Sequence, residues 1–313
     1  MLDFDNDNWI DLFVANDTQP NQLFRNRADG TFEDIGVAAG AAFSDSGVAR
    51  AGMGVDATDY DASGRPGLLV GNFSTEMVGL YHNAGNGLFI DEASRSVIGR
   101  ATLPSLTFGC FFFDVDLNGW PDIFAVNGHV ADDVERVRSG VTYAQQSQLF
   151  LNVGTGQFEE IVLDENDALQ TPVVGRGGAY ADADNDGDLD IAITVNGGTA
   201  RLLENSSLFD RNVLRVRTLG VMSNRDGIGA RIEIHADGRT RWNRVKTGSS
   251  YASQSELPVT FGLGTSTSVS TLRVDWPSGH VDTATNIDGN QTITVKEGVG
   301  IVDVTPIAWS PPK

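Results

Sequence analysis

The stretch Asp182-Ala183-Asp184-Asn185-Asp186-Gly187-Asp188-Leu189-Asp190 decides how this chain is read. Three other segments repeat it in register. They are Asp3-Phe4-Asp5-Asn6-Asp7-Asn8-Trp9-Ile10-Asp11, Asp59-Tyr60-Asp61-Ala62-Ser63-Gly64-Arg65-Pro66-Gly67 and Asp114-Val115-Asp116-Leu117-Asn118-Gly119-Trp120-Pro121-Asp122. Their first residues are 56, 55 and 68 positions apart. A recurring segment at such a period marks a repeat architecture.

The flanks repeat as well. Gly54, Gly109 and Gly177 stand five residues before the first Asp of the last three copies. A short apolar run follows each loop, such as Leu68-Leu69-Val70 or Ile123-Phe124-Ala125, and then Asn16, Asn72, Asn127 or Asn196. Further on come Leu23-Phe24-Arg25-Asn26, Leu80-Tyr81-His82-Asn83, Leu149-Phe150-Leu151-Asn152 and Leu202-Leu203-Glu204-Asn205. The turns Asp29-Gly30, Asn86-Gly87 and Thr155-Gly156 lead into one more apolar segment. Short apolar runs bounded by Gly, Asn and Asp read as strands, and Asp-Gly and Asn-Gly pairs as hairpins. One full period thus holds four strands, which is a propeller blade. A sandwich with acidic turns is the competing reading, but nothing in a sandwich requires matched loops at a recurring period.

Within each loop, side-chain oxygens fall at alternate positions of a tight turn. A hard cation such as Ca2+ takes six to eight oxygen ligands. Positions one, three and five supply side-chain oxygens, position seven a backbone carbonyl, and the glycine at six allows the turn. An EF-hand is excluded, because it needs a bidentate Glu at position twelve. Here that position holds Val14, Ala125 or Ile193. The acidic ligand instead stands at nine, as Asp11, Asp122 and Asp190. Without a counter-ion, so many carboxylates within nine residues repel one another. The second copy has Ser63 at five and Gly67 at nine, so it lacks two anionic ligands. The first has Asn8 in place of the turn glycine.

From about Val213 the acidic loops stop. Val213–Thr218, Ala230–His235 and Thr271–Trp276 alternate apolar and polar residues, as strands with one wet face do. Arg215, Arg217, Arg231, Arg239, Arg241 and Arg244 gather here. They read first as solvated strand faces, and second as a contact with the acidic propeller or an acidic glycan. The fold class is therefore all-β: a partial propeller of four-stranded blades over residues 1–207, a small sandwich or barrel over 208–300, and a tail over 301–313.

These motifs resemble known families. The acidic loops resemble the FG-GAP (VCBS-type) repeats of integrin α-chain-like propellers. Asn224–Arg231, Gly248–Gln254, Phe261–Gly264 and Trp276–Gly279 are similar to motifs of the ASPIC/UnbV domain. The pairing is typical of the cartilage acidic protein family and its bacterial relatives, and the resemblance covers nearly the whole chain. It implies a secreted or surface location, a seven-bladed propeller and calcium in the loops. The calcium role carries over to Asp3, Asp5, Asp7, Asp11, Asp114, Asp116, Asn118, Asp122, Asp182, Asp184, Asp186 and Asp190, and not cleanly to the second loop. Only four loops are present, and the first blade lacks its opening strand.

Composition agrees. The chain has 313 residues, with 42 Asp plus Glu against 22 Lys plus Arg, a net charge of -20. That balance argues against nucleic acid and against an anionic membrane surface. The one cysteine, Cys110, lies in an apolar run and reads as a small core residue. There is no apolar stretch of membrane-spanning length. Met1–Asp5 is no signal peptide, so an export signal is expected upstream.

Neither a nucleophile triad nor a Cys/His metal spacing is present. The third period carries an insertion from 128 to about 148 with His129, Asp132 and Tyr143. It reads first as a surface loop, and second as a ligand-contact loop at one mouth of the propeller. Two functions follow: a calcium-binding extracellular or cell-surface adhesion module for a protein or glycan, or a propeller-based polysaccharide lyase or hydrolase. The first is the expectation, and on it the chain is not an enzyme.

Overall fold

The computed structural model describes residues 1–161, 167–206 and 211–307. Its strands form six sheets. Blade 1 holds β1 (Leu12–Val14), β2 (Gln22–Asn26) and β3 (Phe32–Asp34). Blade 2 holds β4 (Gly52–Thr58), β5 (Gly67–Asn72), β6 (Gly79–Gly85) and β7 (Leu88–Asp91). Blade 3 holds β8 (Thr107–Phe113), β9 (Asp122–Asn127), β10 (Gln148–Gly154) and β11 (Gln157–Glu160). Blade 4 holds β12 (Gly175–Ala181), β13 (Asp190–Val195) and β14 (Arg201–Leu203). Each blade is an antiparallel meander in chain order.

The blades stack through their faces. In β5, Leu68 and Val70 pack with Phe4, Phe13 and Leu23 of blade 1. Leu69, between them, packs with Cys110, Phe112 and Ile123 of blade 3. In β8, Phe111 and Phe113 turn instead to Leu189, Ile191 and Ile193 of blade 4. A middle strand buried on both faces must be a continuous apolar run, as β5 and β9 are, whereas β1 and β13 keep exposed residues on one face. Each such side chain contributes about 1.5–3 kcal/mol of burial. Cys110 is one of these core residues, fully buried.

One register repeats in all four blades. The residue before each acidic loop pairs with its ninth position: Leu2 with Asp11, Thr58 with Gly67, Phe113 with Asp122 and Ala181 with Asp190. The loops therefore all close the same turn of their blades.

The remaining strands are β15 (Asn212–Leu219), β16 (Arg231–Ala236), β17 (Arg239–Arg244), β18 (Val259–Gly264), β19 (Ser268–Asp275), β20 (Val281–Asp288), β21 (Gln291–Lys296) and β22 (Gly300–Pro306). They make two sheets, ordered β18-β15-β21-β22 and β17-β16-β19-β20. Of the two expected forms this is the sandwich, since neither sheet closes on itself. Leu214, Val216, Ile232, Ile234, Phe261, Val274, Trp276 and Ile293 fill the space between them. The expected boundary between 207 and 208 lies outside the described residues, as does 308–313. The expectation of a tail from 301 is corrected: Ile301–Pro306 pairs with β21 as an edge strand. Its side chains are largely exposed, so it carries no buried apolar face to mark it as a strand. Short helices α1 (Val97–Thr102) and α2 (Val134–Val137) interrupt the strands.

The sandwich is docked on the propeller. Ser250, in the Gly248–Gln254 motif, pairs with Val55 of β4 by two backbone hydrogen bonds of 2.9 and 3.2 Å. Tyr251 sets its ring edge-on to Phe108 of β8 at 4.9 Å. Ser255 accepts from the Tyr180 amide of β12. One segment thus lies across the first strands of three blades. Gly54 is required there, because a Cβ would stand 2.2 Å from the Phe108 carbonyl oxygen.

Candidate metal centres

The four acidic loops share one backbone conformation. Positions four and six have positive φ in every copy: Asn6 and Asn8, Ala62 and Gly64, Leu117 and Gly119, Asn185 and Gly187. Asparagine tolerates that region, so Asn8 replaces the turn glycine without altering the path. The amide at position six donates to Oδ2 of the first Asp each time, from Asn8 to Asp3 (3.1 Å), Gly64 to Asp59 (2.9 Å), Gly119 to Asp114 (2.8 Å) and Gly187 to Asp182 (3.2 Å). The residue at five accepts from the amide at seven, as Asn118 does from Trp120 and Asp186 from Asp188.

Carboxylates gather inside three of the loops: Asp3, Asp5 and Asp11; Asp114, Asp116 and Asp122; Asp182, Asp184 and Asp186. Asp7 and Asp190 lie outside these groups. Asp7 accepts from the Trp9 amide. Asn118, at position five of the third loop, turns its amide to the Asn152 carbonyl at 3.2 Å.

The ninth-position aspartates have a further task. Asp122 accepts from Val115 N at 2.8 Å with Oδ2 and from Asn152 N at 2.7 Å with Oδ1. Asp11 does the same with Phe4 and Asn26, and Asp190 with Ala183 and Asn205. Each therefore clamps its loop to the asparagine that ends the Leu-x-x-Asn segment of its own blade.

Electrostatics mark the loops as incomplete without positive charge. Burial, then Asp116, pushes Asp114 up to about 7. Burial, then Asp114, holds Asp122 well above the ordinary carboxylate value. Burial raises Asp11 to about 6. Asp188, at position seven of the fourth loop, rises to about 8 through burial and then Asp186 and Asp190. Buried oxygens without a hydrogen-bond donor remain on Asp5, Asp59, Asp114, Asp182 and Asp188. Such an atom in a protein interior calls for a partner, and a hard cation is the partner oxygens of this kind suit. The donor set fits Ca2+. Reading position seven as a backbone carbonyl missed Asp188, and only its burial in the fold singles it out.

The second loop differs as its sequence implies. Asp61 pairs with His82 Nδ1 at 2.8 Å, and at position nine Gly67 lies under the Tyr60 ring, where a Cβ would stand 2.3 Å from a ring carbon. No clamp is possible there.

A family model described as FG-GAP-like repeat matches residues 3–70, and one described as ASPIC and UnbV matches residues 220–302. The first blades thus match the FG-GAP-like repeat, and the C-terminal sandwich matches the ASPIC and UnbV family. The chain is 28% identical over 288 residues to cartilage acidic protein 1 of Xenopus tropicalis, covering 89% of this chain and 41% of that protein. The Homo sapiens protein of the same name is 28% identical over 282 residues, covering 86% and 39%. The chain thus spans about two fifths of the length of these relatives. Among solved structures, an Agrocybe aegerita lectin described for recognition of non-reducing terminal N-acetylglucosamine is 17% identical, with 65% of this chain and 51% of that one covered at a TM-score of 0.36. The V. cholerae biofilm matrix protein Bap1 is 11% identical, with 91% and 47% covered at 0.35. At those scores neither bears on what this chain binds.

Several arginines of the C-terminal domain do not lie on the solvated strand faces expected for them. Arg217 is exposed, as a solvated face would be. Arg215 is 4% exposed, between Asp182 at 2.7 Å and Glu256. Arg244 pairs with Asp3 at 2.7 Å, and Arg239 donates to the Asn118 carbonyl at 3.2 Å. Arg241 packs over Gly119. Alternation in a strand shows which face is polar, not what covers it, and here the acidic loops cover it.

The insertion of blade 3 does not bring its singled-out residues together as side chains. The His129 amide donates to the Tyr143 carbonyl at 2.8 Å. The His129 ring is buried against Phe73 at 5.3 Å, with Nδ1 accepting from Ala131 N. Asp132 is exposed. No helix among the described residues is long and apolar enough to cross a membrane.

Proposed function

We propose that this chain is a calcium-binding extracellular or cell-surface module that recognises a protein or glycan ligand. The observation that carries the calcium reading is the set of buried aspartate oxygens left without a donor inside loops of one conformation. Asp3, Asp5 and Asp11, Asp114, Asp116 and Asp122, and Asp182, Asp184 and Asp186 would hold the ions, with Asn118 and Asp188 at hand. Calcium there would neutralise the crowded loops and fix the blade ends. The extracellular setting is supported by the FG-GAP-like repeats and by similarity to cartilage acidic protein 1. Binding is favoured over catalysis because the His129 ring is committed to packing with Phe73 and its Nδ1 to the Ala131 amide.

The test is calcium titration by calorimetry and thermal unfolding, followed by a glycan array with calcium-loaded protein. Calcium heats and a calcium-dependent rise in melting temperature are expected. A chain indifferent to calcium would remove the basis of the proposal.

A further inference from the structure

Asp3, Asp59, Asp114 and Asp182 occupy the first position of the four loops, and each meets a donor from the C-terminal domain. Arg244 Nη2 reaches Asp3 at 2.7 Å, and Trp242 Nε1 reaches Asp59 at 3.0 Å. The Gly262 amide reaches Asp114 at 3.1 Å, and Arg215 Nη1 reaches Asp182 at 2.7 Å. In every case the acceptor is Oδ2, the oxygen that already takes the amide of position six. The other oxygen is left to the loop. On Asp59, Asp114 and Asp182 that Oδ1 is buried without a donor, and the Asp182 side chain is completely buried.

The donors come from three strands, β15, β17 and β18. Two are guanidinium groups, one is an indole and one is a backbone amide. Charge is therefore not what they share. They share a position, on the outer oxygen of the first aspartate. Docking for any other purpose gives no reason to reach the same atom of the same loop position four times.

We propose that the C-terminal domain is a common outer shell for the cation loops. Its donors hold each first aspartate by Oδ2, so that Oδ1 is presented to a divalent cation. This rests on the calcium reading above and adds to it that the ASPIC/UnbV domain sets the affinity of sites to which it contributes no ligand. Groups that orient metal ligands change affinity by about 10–100-fold when removed. Linkage makes the effect reciprocal, so calcium strengthens docking of the domain by the factor that docking strengthens calcium.

The opposite arrangement is a guanidinium that competes with calcium for the carboxylate, and it predicts the opposite sign. The test uses the full chain and calcium or terbium alone. Trp9 and Trp120 stand at position seven of the first and third loops, where they can sensitise terbium emission. Arg244→Met should weaken binding at the first loop on the order of tenfold, and Arg244→Gln, which keeps an N–H donor, should recover part of it. Unchanged or tighter binding in Arg244→Met overturns the proposal. If that variant does not fold, Trp242→Phe removes only the indole donor from Asp59 and should weaken the weakest calcium step, and no change there overturns the proposal equally. A parent chain that binds no calcium refutes the calcium reading itself, a different result from a parent that binds and variants that match it.

Discussion

The side-chain amide of Asn152 donates to the backbone carbonyl of Tyr60, 92 residues away, at 2.8 Å. Tyr60 is the second residue of the acidic loop in the preceding blade. Asn83 makes the same bond to Phe4 at 2.9 Å, and Asn205 to Val115 at 2.9 Å. In blades 2, 3 and 4 the asparagine that ends the Leu-x-x-Asn segment therefore clips its blade to the loop before it. Its backbone amide meanwhile meets the ninth-position aspartate of its own loop, where there is one. Two neighbouring acidic loops are joined through a single residue.

Asn152→Ala should accordingly destabilise the chain more than Asn26→Ala. Asn152 is fully buried, and its loss strands the carbonyls of Tyr60 and Pro121. The Asn26 amide bonds Ile10 within its own loop and is half-buried. An unmade buried hydrogen bond costs about 1–3 kcal/mol. Thermal unfolding in a chelator measures the two losses, and equal losses would remove the clip.

Calcium should fill the loops in a graded order. The fourth loop has Asp at one, three and five, Gly187 at six and Asp188 buried beside them, so it should be tightest. The third follows with Asn118 for one carboxylate, then the first. The second, with Asp61 taken by His82 and no ninth carboxylate, should be weak. Charge count of this kind tunes affinity, which in extracellular modules lies at about 10⁻⁴–10⁻³ M. Asp184→Ala should remove much of the calcium-dependent gain in melting temperature, and Asp61→Ala little. Calcium at a hundred times its dissociation constant adds about 2.7 kcal/mol per site, so the two are separable. Equal losses would sink the assignment.

Much of this was legible in the sequence. The period, the loops and the alternation from Val213 fix propeller blades followed by a sandwich, because loop chemistry and strand burial leave direct traces in residue type. Partnership leaves none. Asp122 is as acidic to the eye as Asp116, and only the approach of Asn152 makes it a clamp. The repeated asparagines were visible as a pattern, but their second partner lies in another blade. Arg215 and Arg217 look alike in an alternating strand, yet one is buried beneath Asp182 and the other meets water.

Stability of the C-terminal domain should fall in acid through Glu297. Its Oε2 accepts from the amides of Val221, Met222 and Ser223 at 2.6, 2.7 and 2.8 Å, and Oε1 from the hydroxyls of Ser223 and Ser278. Burial alone raises this carboxyl, but the bonds from Ser278, Ser223 and Val221 outweigh it and bring it down to about 2. A group depressed in the folded state stabilises fully above its unfolded value of 4.5, and loses that contribution as pH falls toward 2. The lead of the parent over Glu297→Gln should be constant near neutrality and shrink between those limits. Unfolding curves of both proteins across that range decide it, and a constant difference would show that the amide nest does not bind the ionised form selectively.

Lys246 and Asp56 should behave as a buried pair across the domain boundary. Asp56 lies inside β4, with Oδ2 accepting from the Phe112 amide at 2.9 Å and Oδ1 from Lys246 Nζ. The side chains are 2% and 18% exposed, so solvent screens the aspartate little. Lys246→Met leaves a buried charge without its partner, a change that costs about 3–5 kcal/mol. Asp56→Asn in the same chain removes the charge while keeping an oxygen for Phe112, so the double variant should regain most of that loss. Chemical denaturation of the parent, the two single variants and the double variant gives the coupling energy. Additive effects would mean that the sandwich does not hold its lysine against the blade.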